Sequence, residues 1–82
     1  MHGTFNGVRL RQITSRKIGT TPRGSKLEGF RVLDRVPELE AKLRLDAPAL
    51  LILSDEVVEG RIVHFSADIQ FGYEIMIEMK EG

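Results

Sequence analysis

Three residues with the side-chain types of a hydrolytic triad lie at alternate positions: His64, Ser66 and Asp68. Alternate side chains of a strand point to the same face, so these three would form a row of neighbours. A catalytic triad instead needs an acid that orients the base and a base that faces the nucleophile, supplied from separate elements. Serine and aspartate are also common where a strand enters a turn. We therefore expect no catalytic residue here and no enzymatic activity.

A glycine-rich segment, Gly19 to Lys26, comes near to a phosphate-binding P-loop. In that motif the lysine precedes a serine or threonine, whereas here Ser25 precedes Lys26. The motif is also presented by an α/β sheet that 82 residues cannot house. With no cysteine and two histidines, the chain also lacks a convincing set of metal ligands. We expect neither a cofactor nor a metal site.

Positive charge is concentrated in the first part of the chain. Residues 1–36 contain eight basic and two acidic residues, a balance of +6, while residues 37–82 contain four basic and ten acidic ones, a balance of −6. Such asymmetry suggests either a polyanionic partner or one half of the chain pairing with the other. The candidate residues for binding nucleic acid or another anion are Arg9, Arg11, Arg16, Lys17, Arg23 and Lys26.

The length of 82 residues allows one domain, residues 1–82, with a single small core. A core of this size gains stability from self-association, so we expect a homo-oligomer. No apolar run approaches the roughly 20 residues of a membrane-spanning helix, so we expect no membrane partner. The first residues lack the pattern of a signal peptide, and a cytoplasmic location is the default expectation.

The element that organises the predicted fold is a strand between Gln70 and Lys80. Its apolar residues occupy every second position, which is the period of a strand with one buried face. They are Phe71, Tyr73, Ile75, Ile77 and Met79. At the other end of the chain, Asn6-Gly7 is a strong signal for a tight hairpin turn, which would join residues 2–5 to residues 8–13.

Other segments predict further strands. Phe30–Val36 alternates, and Ala49–Leu53 is a continuous apolar run typical of a strand covered on both faces. Val57–Phe65 would turn Val57, Val63 and Phe65 to one face, with a bulge or sharp bend at Gly60.

Two segments are harder to assign. Ser15 to Gly29 contains three glycines, one proline and four hydroxyl residues, and we interpret it as a flexible basic loop. Glu38–Leu45 consists of helix-forming residues and follows Pro37, which suits the first position of a helix. Its apolar residues nevertheless alternate strictly, and on a helix they would occupy opposite sides. We favour a strand here and keep a short helix at 37–45 as the alternative.

Two short segments resemble motifs of the PilZ domain, a β-barrel family that binds cyclic dinucleotides. Arg31 to Pro37 is similar to the Arg-x-x-x-Arg approach to that domain, and Gly60 to Ser66 is similar to the strand that leads into its Asp/Asn-x-Ser-x-x-Gly motif. The resemblance implies that Arg31 and Arg35 would grip phosphates and that Ser66 would contact the ligand.

The sequence also departs from that pattern. His64 stands where the PilZ motif has Asp or Asn, and Ile69 stands where it has Gly. Leu27 to Asp34 is similar, in the same limited way, to a segment of Sm-like barrels. We assign the chain to neither family.

Taken together, these patterns predict a mainly all-β fold, a small antiparallel β-barrel or curled sheet of five to six short strands. For function we expect a non-enzymatic binding or regulatory module that contacts nucleic acid or another polyanion through its basic N-terminal half. The alternative is a protein-interaction or adaptor module, homo-oligomeric, that uses a sheet edge or the acidic C-terminal half.

Overall fold

The computed structural model describes residues 2–33, 36–68 and 72–79, and within these ranges the side chains of Ser15, Arg16 and Asp68 are not described. The described residues form a single curled, half-barrel sheet of antiparallel strands and one short helix. The strands are β1 (Gly3–Phe5), β2 (Val8–Leu10), β3 (Ile13–Thr20), β4 (Lys26–Val32), β5 (Pro48–Leu53), β6 (Val57–Asp68) and β7 (Gly72–Met79), and the helix is α1 (Pro37–Glu40). The prediction of a curled antiparallel sheet is confirmed, with seven strands where five to six were expected.

The sheet has the order β2-β1-β5-β6-β7-β4-β3, so consecutive strands β2 and β3 lie at its opposite edges. Only Arg11 and Gln12 separate them in sequence. Because two residues span at most about 7 Å, the two edges must meet at this corner, which is how the sheet curls. The Gln12 carbonyl accepts a hydrogen bond from the Leu33 N–H (3.0 Å), which ties the corner to the end of β4. We call residues 8–20, which comprise β2, the two-residue corner and β3, the bent strand.

Strand β7 is an inner strand of the sheet that is buried on one face, as its alternation predicts. Tyr73, Ile75 and Ile77 are buried, while Glu74 and Met76 are half-buried on the outer face. β7 pairs with β4 on one side and β6 on the other. The core on its inner side includes a tilted pair of aromatic rings, Phe5 and Phe30, whose centroids are 5.8 Å apart. Phe71, also predicted to face the core, lies outside the described residues.

The predicted N-terminal hairpin is confirmed at its turn. Asn6 and Gly7 both have positive φ (50° and 85°), as a type I′ turn requires. The Asn6 side chain also reaches β5: its Nδ2 donates to the Pro48 carbonyl (2.9 Å) and its Oδ1 accepts from the Leu50 N–H (2.7 Å). The turn residue therefore ties the hairpin to the neighbouring strand.

The prediction of a flexible loop over Ser15–Gly29 is wrong. These residues belong to an antiparallel pair, β3 and β4, joined by the short turn between Thr21 and Ser25. β3 is an edge strand with much of its length exposed, so it needs few apolar residues, and composition alone suggested a loop. β4 ends at Val32, earlier than the predicted strand Phe30–Val36.

The prediction of a strand over Glu38–Leu45 is also wrong, and the alternative of a short helix is correct for Pro37–Glu40. Leu39 and Leu43 are buried, one helical turn apart, whereas Ala41 and Leu45 are exposed. The alternation therefore has no structural counterpart on this segment. The Tyr73 hydroxyl donates to the Glu40 carboxylate (2.8 Å), which fastens α1 to β7. Among the described residues, no helix has the length and apolar character needed to cross a membrane.

Strand β5 is covered on one face, not on both as predicted. Ala49 and Leu51 are buried, whereas Leu50 and Ile52 are 39% and 43% exposed. Ile52 lies directly opposite Val57 of β6, which is itself 60% exposed. The outer face of this hairpin is therefore apolar and open to solvent.

Strand β6 faces the core with different residues from those predicted. Val58 and Ile62 are buried, while Val63 and Phe65 are half-buried. A register shift between Ile62 and His64 places the bulge two to three residues after Gly60. Gly60 is required for another reason, because a Cβ at this position would overlap the carbonyl oxygen of Glu78 in β7.

Candidate nucleic-acid interface

The first group of predicted binding residues lies on β2 and at the corner between β2 and β3. Arg9 projects outward opposite Thr4 of β1, and Arg11 follows Leu10 at the end of the strand. Together with His2 they line a shallow cleft of about 280 Å³. The alternation of strand side chains explains the arrangement: Val8 and Leu10 face the core, so Arg9 and Arg11 face solvent.

The second group lies along the β3–β4 hairpin. Lys17 is opposite Gly29, and Lys26 is opposite Thr20 at the first pair of the ladder. Arg23 lies in the connecting turn, which is closed by a hydrogen bond from the Thr21 N–H to the Ser25 carbonyl (2.8 Å). All three side chains are exposed. The side chain of Arg16 lies outside the described part of the structure.

We define the basic surface as Arg9, Arg11, Lys17, Arg23 and Lys26. Its residues do not converge on one pocket, because the eight residues of β3 separate the corner from the hairpin turn by about 26 Å. They follow one continuous bent strand and its turn. The arrangement suits an extended ligand better than a compact one.

The acidic half leaves four cations of the basic surface without an ion pair in the described structure. Within the described ranges, no carboxylate forms an ion pair with Arg9, Lys17, Arg23 or Lys26. The carboxylates of β7 instead pair with two other arginines: Glu74 with Arg31 (3.0 Å) and Glu78 with Arg61 (2.8 Å). In each pair the two residues are direct cross-strand neighbours. The four named cations are consequently available to a ligand.

Arg61 has a structural role that distinguishes it from the cations of the basic surface. It joins β6 to β7 through Glu78 and also contacts Asp46, the positive-φ residue that precedes β5. The hydrogen bond and charge of Glu78, followed by the charge of Asp46, raise the pKa of the Arg61 guanidinium above its usual value. Arg61 therefore stays charged and engaged within the fold.

The residues with catalytic side-chain types are not assembled into a site by the described structure. His64 and Ser66 are exposed on the outer face of β6, opposite Met76 and Glu74 of β7. The side chain of Asp68 is not among those described. Among the described residues, no cluster of three or more histidine or acidic side chains could hold a metal ion.

Aromatic side chains in the described ranges are turned toward the core. Phe5, Phe30 and Tyr73 are buried, and Phe65 packs against the core with part of its surface covered. None of these four rings is fully exposed beside the basic surface to stack on a base. The described part of the basic surface therefore offers cations for phosphates and no ring for stacking.

Sequence reasoning identified the exposed cations but not the two arginines that pair with β7. The PilZ resemblance implied a phosphate-binding role for Arg31, and no pattern singled out Arg61. Strand register places each of them opposite a glutamate. Register depends on how non-adjacent strands pair, which single-sequence periodicity does not specify.

Comparison with protein-family models, with curated proteins and with solved structures gives no match to this chain. The resemblances to PilZ and Sm-like domains therefore have no support from a family model. Function has to be inferred from the chemistry of the surface itself.

Proposed function

We propose that this protein is a non-enzymatic binding module that contacts the phosphate backbone of nucleic acid through its basic surface. The observation that carries the proposal is the exposure of Arg9, Lys17, Arg23 and Lys26 without a carboxylate partner in the described structure. The net charge of the protein is zero, so the molecule as a whole does not attract a polyanion, and any attraction must come from a local group of cations. The bent strand supplies such a local field.

The mechanism that follows is electrostatic. Each lysine or arginine that meets a phosphate releases condensed counterions, and this release provides most of the sequence-independent affinity. The cations are spread from the corner to the hairpin turn, about 26 Å apart along β3, and can meet several successive phosphates. Since the described aromatic rings are committed to the core, base identity should matter little.

Binding can be tested with fluorescently labelled single- and double-stranded DNA at low and near-physiological salt. We expect binding to both, with log affinity falling by about 0.7 to 0.9 per tenfold rise in salt for each phosphate neutralised. The variant Lys17→Ala/Arg23→Ala/Lys26→Ala should weaken all sequences alike and flatten the salt dependence, while melting at the temperature of the wild type. Absence of binding at low salt ends the proposal.

A second candidate function, as a protein-interaction module, is favoured by the free edge of β3. The Thr21 N–H donates to the Ser25 carbonyl on the β4 side of the hairpin. Along a strand, the N–H and C=O groups of successive residues point alternately to the two sides. Those of Ile18 and Thr20 therefore point away from β4. The Ile18 side chain is 79% exposed. An eight-residue edge with open hydrogen-bonding groups and an exposed isoleucine can pair with a strand of another protein or of a second copy.

Sedimentation across the micromolar range separates this candidate from the first. Edge pairing between copies predicts association that Ile18→Gln weakens, while affinity for DNA stays at the wild-type value because no charge changes. A monomer at every concentration, with a concentration-independent melting temperature, removes the homo-oligomeric form of this function.

A further inference from the structure

The free edge of β3 is flanked by cations and by no exposed carboxylate. Lys17 lies on β3, Arg23 in the turn and Lys26 at the start of β4, and all three are exposed. The sequence has no Asp or Glu before Glu28, which is buried (3% exposed). None of the three cations forms an ion pair with a described carboxylate. A partner strand at this edge therefore meets positive charge.

The register of β3 determines what an added strand would contact. After the register shift between Thr14 and Lys17, β3 pairs regularly with β4 as far as Thr20. The N–H and C=O groups of Ile18 point away from β4, so an antiparallel strand added at the edge would exchange both hydrogen bonds with Ile18. The next pair, at Lys17, would be a non-hydrogen-bonded one, in which the two side chains lie closer together.

The side chains at these two positions favour different partners. The Ile18 side chain is 79% exposed, so an apolar residue opposite it would remove apolar surface from water. An acidic residue opposite Lys17 would form a cross-strand pair of opposite charge. Because Ile18 and Lys17 are adjacent on a strand, their side chains lie on opposite faces. The edge therefore matches a strand in which acidic and apolar residues alternate.

A second copy of the chain matches this edge less well. Lysine on an edge strand is a common device against pairing between sheets, because two such edges repel each other. The other edge of the sheet, β2, carries Arg9 and likewise no carboxylate. Edge pairing between copies would therefore bring cations together. A strand that carries acidic residues turns the same lysine into an attractive contact.

We propose that the β3 edge binds an extended acidic segment of another protein, in which glutamate or aspartate alternates with β-branched residues. The segment adds as a further antiparallel strand, with its apolar side chains on the Ile18 face and its carboxylates on the Lys17 face. Main-chain hydrogen bonds supply affinity and the alternating side chains supply specificity. The inference rests on the second candidate function and specifies its partner, a strand of opposite charge and not a second copy.

The test is fluorescence anisotropy with two labelled hexapeptides, one alternating glutamate with valine and the other lysine with valine. The acidic peptide should bind about tenfold more tightly than the lysine peptide. Lys17→Gln should weaken binding of the acidic peptide by about two- to fivefold without changing the melting temperature. The matched control is Lys42→Gln, which removes an exposed charge after α1 and should bind like the wild type.

Two further peptides test the backbone pairing. N-methylation of the valines of the acidic peptide blocks the N–H groups that would face β3, and should abolish binding. N-methylation of its glutamates blocks the N–H groups on the far side, and should leave binding in place. Equal affinity for the acidic and lysine peptides would overturn the acidic partner while leaving edge pairing standing. Binding that survives valine methylation would show attraction by charge alone and overturn strand addition, as would the absence of binding at millimolar peptide.

Discussion

Gly60 and Gly29 lie on strands that flank β7, and the structure predicts that alanine at these two positions has opposite effects on stability. At Gly60, the new Cβ would overlap the Glu78 carbonyl oxygen and lie 2.8 Å from its carbonyl carbon and 2.9 Å from the Met79 Cα. These are backbone atoms of a paired strand, so relief requires β6 and β7 to separate where Arg61 and Glu78 join them. At Gly29, the nearest atom belongs to a flexible side chain at an ordinary contact distance.

Overpacking of this kind costs about 1 to 3 kcal/mol, and the rigid neighbours of Gly60 place Gly60→Ala at about 2 to 3 kcal/mol. For a domain of this size that is a fall in melting temperature of about 8 to 24 °C. Gly29→Ala reduces the entropy of the unfolded chain without strain and should raise stability by about 0.5 to 1 kcal/mol.

The assay is thermal and urea unfolding of the two variants beside the wild type, followed by circular dichroism. A shift of the midpoint without a change in the urea slope identifies a change in stability. If Gly60→Ala is neutral, the close approach of β6 and β7 at Gly60 is incorrect. If Gly29→Ala destabilises as much as Gly60→Ala, the space assigned to a side chain at Gly29 is incorrect.

Three further substitutions, two of them paired with a comparison variant, test other parts of the fold by the same unfolding measurements. Ile77→Asp places an unpaired charge among fully buried neighbours and should lower the free energy of unfolding by on the order of 4 to 5 kcal/mol. Met76→Asp, on the outer face, should lower it by less than about 1.5 kcal/mol. Equal losses would contradict the one-sided burial of β7. Asn6→Ala loses two hydrogen bonds to β5 and strains a positive φ, for about 1 to 3 kcal/mol, and Asn6→Gly should lose less because glycine tolerates that φ. Leu39→Ala should cost about 2 to 5 kcal/mol, because Leu39 is completely buried beneath α1, and a neutral result would mean that the helix is not packed on the sheet.

Local patterns predicted the parts of the fold in which one face is buried and the turn chemistry is specific. The alternation of β7 and the positive-φ pair Asn6-Gly7 are of this kind. β3 was missed because an exposed edge strand can consist of polar residues and glycine, which composition does not separate from a loop. The alternating leucines after Pro37 misled because only Leu39 and Leu43 reach the core.

The candidate site was predictable only in part, for a related reason. Charge counting indicated which half of the chain is basic, and Arg9, Arg11, Lys17, Arg23 and Lys26 are exposed in the described structure. Which glutamates are already engaged depends on strand register, as Glu74 and Glu78 show.

The central claim, that a local group of cations and not the overall charge binds nucleic acid, is tested most directly by two charge-matched double variants. Arg23→Ala/Lys26→Ala removes two charges from the basic surface, and Lys42→Ala/Arg44→Ala removes two exposed charges from the segment after α1. Both lower the net charge by the same amount. The assay is a salt titration of binding to labelled double-stranded DNA. The first variant should bind more weakly, and its slope of log affinity against log salt should be shallower by about 0.9 for each phosphate that it no longer neutralises. The second variant should keep the wild-type slope. Equal slopes for the two variants, or no binding by the wild type, would contradict the claim.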